Sequence, residues 1–192
     1  MERIIYDQMN QSDMDHLTMN IHLHCYAFAH QYILHKKVLD AACGTCFGTM
    51  IYSTAAESIV AIDKSRSAID RGKKLPFFCP TTFIVKNLDK QKLPGADVCV
   101  SVETIEHLNG DGFFLQNLNV GALVFTVPID MYSSGGFHKM NFKTVDDVSK
   151  YLNKNGWRIA SAMQTTRKIT ASSPVGVTGV LSDSLMGVAE RI

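Results

Sequence analysis

Five short apolar runs constrain this chain more than anything else in it: KKVLDAA, SIVAID, TTFIVKN, ADVCVSV and ALVFTVP. Each is nearly continuous in apolar residues, the pattern of a strand buried on both faces. Between them lie segments that fit helices or polar connections, among them TMIYSTAA, KSRSAIDRGKK, LDKQKLPG and GDGFFLQNL. Strands that alternate with helices in this way build an open α/β sheet, mostly parallel, with helices on both faces. Two further strands, WRIASAM and SLMGVAERI, bring the expected total to about seven, and TVDDVSKYLNKNG before them has the Thr start and Gly stop of a capped helix. A helix opening near Ser12 or Asp13 precedes the first run, with Leu17, Ile21, Cys25, Phe28 and Tyr32 at helical spacing. The 192 residues suffice for a single domain with a sizeable core. The expected division is a helical lead-in over 1–36 and a ligand-binding sheet over 37–192. The nearest thing to a linker is TASSPVGVTG, Thr170 to Gly179.

An open α/β sheet binds its ligands outside the carboxyl ends of the strands. The residues to watch are therefore Asp40 to Gly48, Asp63, Asn87, Glu103 to His107, and Pro128 to His138. The first strand runs into Asp40-Ala-Ala-Cys-Gly-Thr-Cys-Phe-Gly48, where glycines let the backbone approach a ligand. Asp63 closes the second strand 23 residues after Asp40, the place for an acid that accepts hydrogen bonds from ribose hydroxyls. The dinucleotide fingerprint G-x-G-x-x-G is missing. Asp40 at the head of the loop would repel a phosphate and welcome an ammonium group. The ligand that joins an adenosine ribose to an ammonium is S-adenosyl-L-methionine.

VLDAACGTCFGT, VAID and VSVETIEHL resemble the class I, Rossmann-like S-adenosylmethionine-dependent methyltransferases. The similarity is to a subgroup with a V-L-D-x-A-C-G-T-G-x-G first motif and E-x-x-E-H-L after the fourth strand. CYAFAHQYILHKKVLD is similar to its lead-in helix, and TVPIDMYSSGGFHKMNF to its fifth-strand region. The resemblance implies a seven-stranded sheet with the last strand antiparallel. It implies that Asp40, Ala42, Cys43 and Gly44 surround the methionine part of the cofactor, with Cys46 in the same loop. It puts Asp63 at the ribose hydroxyls, Asn87 and Leu88 beside the adenine, and Glu103 next to the sulfonium and the acceptor's entry. Three features depart from the family: Cys46 stands at a usual glycine, Asn87 where Asp is more frequent, and Leu118 to Gly121 is shorter than usual.

His107 and His138 are the candidates for general base toward an acceptor hydroxyl, against the alternative that they only shape the pocket. Glu103, Glu106 and His107, spaced to share one helical face, would with His138 also form a carboxylate and imidazole set, similar to the metal site of RNA 3′-terminal 2′-O-methyltransferases. The expectation is no metal, because the same E-x-x-E-H-L occurs in metal-free small-molecule methyltransferases. His16, His22, His24, His30 and His35 read as solvated or packing residues, Trp157 as core, and Tyr26 either as core or as a cover over the methionine end. Cys43 and Cys46 also spell C-x-x-C, but a redox pair leaves Asp63 and ETIEHL without a role, and no second Cys/His pair stands at zinc spacing.

Composition narrows the partners. Nineteen Lys and Arg balance 18 Asp and Glu, a net charge of +1, so neither long nucleic acid nor an anionic membrane is favoured. No run is long and apolar enough for a membrane span, and MERIIYDQMNQSDMDH has no signal-peptide core. Five cysteines, an odd number in mostly apolar surroundings, suit reduced thiols in a cytoplasm. The expectation is methyl transfer to a small-molecule or sugar-like acceptor, at oxygen. The alternatives are metal-assisted RNA 3′-end methylation and a non-catalytic S-adenosylmethionine-binding protein.

Overall fold

The computed structural model describes residues 13–129, 138–165 and 183–192. Strands β1 (Lys37–Ala41), β2 (Ser58–Asp63), β3 (Thr81–Val85), β4 (Val98–Val102), β5 (Ala122–Ile129), β6 (Trp157–Thr165) and β7 (Asp183–Arg191) form one sheet. Their order is β3-β2-β1-β4-β5-β7-β6. The first five are parallel, and β7 runs antiparallel to both β5 and β6. This is the expected seven-stranded Rossmann-like sheet with the last strand antiparallel.

The apolar runs are continuous because each strand feeds two cores. Val38 of β1, Ile59 and Ala61 of β2, and Val98 and Val100 of β4 point to one face. There they meet Cys25 and Phe28 of α1 (Asp13–His30), Tyr52 of α2 (Phe47–Tyr52) and Ile69 of α3 (Arg66–Gly72). Leu39, Ile62, Cys99, Leu123 and Phe125, the alternate positions, point to the other face. That face is covered by Phe114 and Leu115 of α4 (Phe113–Gln116) and Val148 and Leu152 of α5 (Val145–Lys154). Period-2 alternation thus distributes apolar side chains to both sides of the sheet. Trp157 is fully buried and donates its indole N–H to Leu115 O at 2.9 Å.

Local chemistry sets the helix ends. Thr144 and Asp147 cap α5 reciprocally: Asp147 N–H donates to Thr144 Oγ1 at 3.2 Å and Thr144 N–H to Asp147 Oδ2 at 2.9 Å. Gly156 follows at φ 83°. α4 is a single turn, because Gly112 enters it at φ 78° and the helix stops at Gln116. α2 begins at Phe47, ahead of the expected TMIYSTAA, since the left-handed turn at Cys46 already starts the helical path. The stripe expected on α1 is half right. Cys25 and Phe28 are buried, but the helix stops at His30, so Tyr32 lies beyond it and is exposed while Ile33 turns inward. The side chain of Leu17 and the stretch TASSPVGVTG lie outside the described residues.

Candidate functional site

The carboxyl ends of β1, β2, β3 and β4 converge on one rim of the sheet. Ala42, Asp63, Asn87, Leu88 and His107, five of the residues expected at the site, line a cleft there. Lys64, Lys86, Asp89 and Leu108 complete its walls. The composition of the sequence does not single out these four; their signal is position, next to strand-end residues that were. Asp40, Cys43, Gly44, Cys46 and Glu103 are not part of this lining.

The loop after β1 is strained where it nears the cleft. Ala42 and Cys46 adopt φ 61° and 63°, left-handed values rare outside glycine, and Gly44 adopts 56°. Cys43 N–H donates to Ile62 O at 2.9 Å and Gly44 N–H to Asp63 Oδ2 at 3.0 Å, so β2 holds the loop in place. Asp63 is buried and also accepts Ser65 N–H on its other oxygen at 2.7 Å. Its carboxylate is thereby fixed in orientation at the cleft wall.

Asp40 is buried too, at 6% exposure, and receives the Thr49 hydroxyl on Oδ2 at 2.5 Å. Burial pushes its carboxyl up to about 7; the Thr49 hydrogen bond opposes this and the neighbouring Asp63 adds to it. Tyr26 packs its ring on Gly48 and lies edge-on to Tyr52 at 6.0 Å. Burial raises its hydroxyl well above the usual range. It is a wall of the Asp40 environment as well as a core aromatic.

Cys46 is fully buried and does not narrow the loop's ligand side. Its thiol packs on Gly72 of α3, where an added Cβ would collide with it. Any contact it makes with a ligand in the loop is therefore through its backbone. Its Sγ lies 3.6 Å from Cys43 Sγ. The Cys43 thiol is raised well above its ordinary value, first by that hydrogen bond and then by burial. A poor thiolate is a poor nucleophile for disulfide exchange.

After β4, Glu103 takes φ 45°. Its N–H donates to Thr126 O at 3.1 Å and Oγ1 at 3.0 Å, and Thr126 Oγ1 donates in turn to Glu103 Oε1 at 3.0 Å. Ser184 Oγ of β7 reaches the same oxygen at 3.4 Å. Ile105–His107 is a 3₁₀ turn, so Glu103, Glu106 and His107 do not share one helical face as their spacing suggested. Glu106 is buried instead, with Oε1 3.4 Å from His107 Nε2. Lys139 and Met140 donate their N–H groups to Glu106 O at 2.8 and 3.0 Å, which brings the preceding residue, His138, against His107 with ring centroids 4.8 Å apart. Burial lowers the His138 imidazole, with Glu103 opposing, so its neutral, proton-accepting form is favoured. One ligand atom each from Glu106, His107 and His138 lie within 4.8 Å of one another. Two nitrogens and a carboxylate oxygen suit a divalent cation in kind; ligands about 2.1 Å from an Mg²⁺ ion lie closer together than 4.8 Å, so binding would draw them inward. Of the histidines near α1, His24 and His35 are exposed and His22 and His30 half-buried, as solvated or packing residues are. The side chain of His16 and residues 130–137 lie outside the described residues.

No family model and no curated protein matches the chain. Solved structures do. An S-adenosylmethionine-dependent methyltransferase from Mesorhizobium loti superposes with a TM-score of 0.67 at 15% identity, over 85% of this chain and 96% of that one. Magnesium protoporphyrin IX methyltransferase from Synechocystis, with bound SAH, gives 0.67 at 15% identity over 97% and 91%. The [4+2]-cyclase SpnF gives 0.67 at 11% identity over 88% and 80%. The fold is thus the one used by S-adenosylmethionine-dependent methyltransferases, and it also supports a cyclase. Among the described residues no helix is long and apolar enough to cross a membrane.

Proposed function

We propose that this chain binds S-adenosyl-L-methionine and catalyses methyl transfer to a small-molecule or sugar-like acceptor, at oxygen, in the cytoplasm. The observation that carries the reading is the pair of buried carboxylates, Asp40 and Asp63, at the ends of adjacent parallel strands around a strained loop. Such a pair suits a ligand that is cationic at one end and a diol at the other, and no phosphate-binding loop accompanies it.

When bound, the cofactor would supply a methyl group activated by its sulfonium, for transfer to the acceptor oxygen. Asp63, held by two backbone N–H groups, would accept the ribose hydroxyls. Asn87 and Leu88 would flank the adenine. The Asn87 carbonyl oxygen already accepts Asp89 N–H at 3.0 Å, which leaves the amide N–H₂ to face the base. Ala42, Cys43, Gly44 and the backbone of Cys46 would surround the methionine part with Asp40. Glu103 would stand beside the sulfonium, and His107 or His138 would take the acceptor's proton. The chain's contribution is alignment and charge handling in a partly water-excluded site.

Calorimetry with S-adenosylmethionine and S-adenosylhomocysteine, followed by an acceptor screen that detects S-adenosylhomocysteine release, tests this directly. His107→Ala or His138→Ala should cut turnover by roughly 10²–10⁴ with cofactor affinity nearly unchanged. An equal loss of cofactor binding would make the histidine structural.

The convergence of Glu106, His107 and His138 supports a second reading, metal-assisted methylation of an RNA 3′ end at the 2′-oxygen. A divalent cation held there would stabilise a developing alkoxide. Activity abolished by EDTA and restored by Mg²⁺ or Mn²⁺, on an RNA acceptor, would select it. Activity indifferent to chelation would remove it.

A further inference from the structure

We propose that Thr49 is a positioning residue for the cofactor's amino-acid end: its hydroxyl fixes one oxygen of Asp40 and leaves the other to receive the ammonium group. The inference rests on the cofactor reading above.

Thr49 is fully buried in the first turn of α2, nine residues after Asp40. Its hydroxyl donates to Asp40 Oδ2 at 2.5 Å, within the range of an O–H···O⁻ bond to an ionised carboxylate. That is the one hydrogen bond of the Asp40 side chain among the described residues. A carboxylate has about four lone-pair sites, so a single donor leaves it short. Asp63, next door, has two N–H donors.

Among the described residues no cation faces this carboxylate. The groups that face Asp40 are Tyr26 from α1, Cys43 from the loop, Tyr52 from α2, Asp63 from β2 and Cys99 from β4. None is a cation. Burial among them raises Asp40 to about 7, and the Thr49 hydrogen bond is what opposes that rise. A buried carboxylate without a cation is a net burden on the fold, and an amide or an apolar residue would fill the same space at lower cost. The arrangement is explained by a cation that arrives with the ligand. Rings and thiols around Asp40 exclude water, which strengthens the pairing once that cation is in place.

The test is calorimetry on the wild type, Thr49→Val and Thr49→Ser from pH 6 to 9 with two ligands. S-adenosylhomocysteine carries the amino-acid end; 5′-methylthioadenosine lacks it. The expected result is that Thr49→Val weakens S-adenosylhomocysteine at least about tenfold at pH 7, while Thr49→Ser stays within about threefold. Neither variant should change the affinity for 5′-methylthioadenosine. The pH below which S-adenosylhomocysteine binding declines should lie near 7 in the wild type and move upward in Thr49→Val. Equal losses for both ligands, or no loss for either, would overturn the inference. Should Thr49→Val fail to fold, the wild type still tests the Asp40 pairing on which the role of Thr49 depends: S-adenosylhomocysteine must release protons on binding near pH 7 and 5′-methylthioadenosine must not, or the inference falls. A wild type that binds neither ligand refutes the cofactor reading itself, whereas one that binds both without these differences refutes only the role of Thr49.

Discussion

The loops after β1 and β4 end on the same rim of the sheet, and both hold non-glycine residues at positive φ, yet they are secured by different means. The β1 loop, with Ala42 and Cys46, is tied by main-chain hydrogen bonds and by one carboxylate, Asp63, from the neighbouring strand. The β4 loop, with Glu103, is tied by buried hydroxyls: Thr126 closes a ring of bonds with it and Ser184 adds another. Strain of about 1–3 kcal/mol per residue persists only where the surroundings over-determine it. The first loop delegates that task to backbone geometry, which most substitutions spare. The second adds to one main-chain bond, Glu103 N–H to Thr126 O, the hydroxyls of Thr126 on β5 and Ser184 on β7, and a single methyl-for-hydroxyl exchange removes one of these supports.

The sharpest break of this comparison is Asp63→Ala. It removes both the anchor of the β1 loop and the proposed receptor of the ribose. Charge-assisted hydrogen bonds contribute roughly 1.5–3 kcal/mol each, so cofactor affinity should fall at least about tenfold. A folded variant that binds S-adenosylmethionine like the wild type removes Asp63 from the site.

Thr126→Val comes next. It removes the Thr126 hydroxyl from the Glu103 carboxylate, a hydrogen bond worth about 1–3 kcal/mol, while the Glu103 N–H keeps Thr126 O and Oε1 keeps Ser184 Oγ. The melting temperature should drop and turnover should fall about tenfold or more. A titration with S-adenosylhomocysteine checks that the β1 loop is untouched: its affinity should change much less than turnover does.

Asp40→Asn should move stability the other way. The Asp40 carboxyl sits at about 7 in the folded chain, above its ordinary value of 3.8. Between those two pH values the folded state keeps a proton that the unfolded chain releases, so stability drains as pH rises through that window and is lowest above 7. The asparagine removes this loss. The variant should melt higher than the wild type at pH 8 and equally at pH 4, since each 1 kcal/mol is worth about 2–4 °C in a chain of this size. It should bind the proposed cofactor poorly. A stabilisation that is independent of pH would contradict the burial argument.

The smallest effect belongs to Cys46→Gly. Glycine relieves the left-handed backbone but vacates the space that the thiol fills against Gly72. The two terms, each about 1 kcal/mol, nearly cancel. Cofactor affinity should be kept or slightly improved, and activity should be intact with and without reductant. Gly72→Ala, by contrast, should destabilise the wild type and do so much less in combination with Cys46→Gly. Additive melting shifts in the double variant would show that the two sites do not touch.

The strands and the acids at their ends were legible in the chain itself. A strand buried on both faces has to be a continuous apolar run, and a strand-end residue is a neighbour in sequence of the strand it ends, so Asp40, Asp63, Asn87 and Glu103 could be placed from local pattern alone. The capped helix after Thr144 was legible for the same reason: its two partners are three residues apart. The direction of the Cys46 thiol was not, because it depends on α3 approaching with Gly72 at the contact. The two supports of Glu103 lie 23 and 81 residues away and become its neighbours only because the sheet order sets β5 beside β4 and β7 beside β5. The meeting of His107 with His138 likewise waits on the main chain of Glu106 capturing Lys139 and Met140. Periodicity encodes which face a residue takes within its own element. Which elements face each other, and so which buried hydroxyl or imidazole completes a site, is decided by packing across the sheet, where sequence separation carries no information.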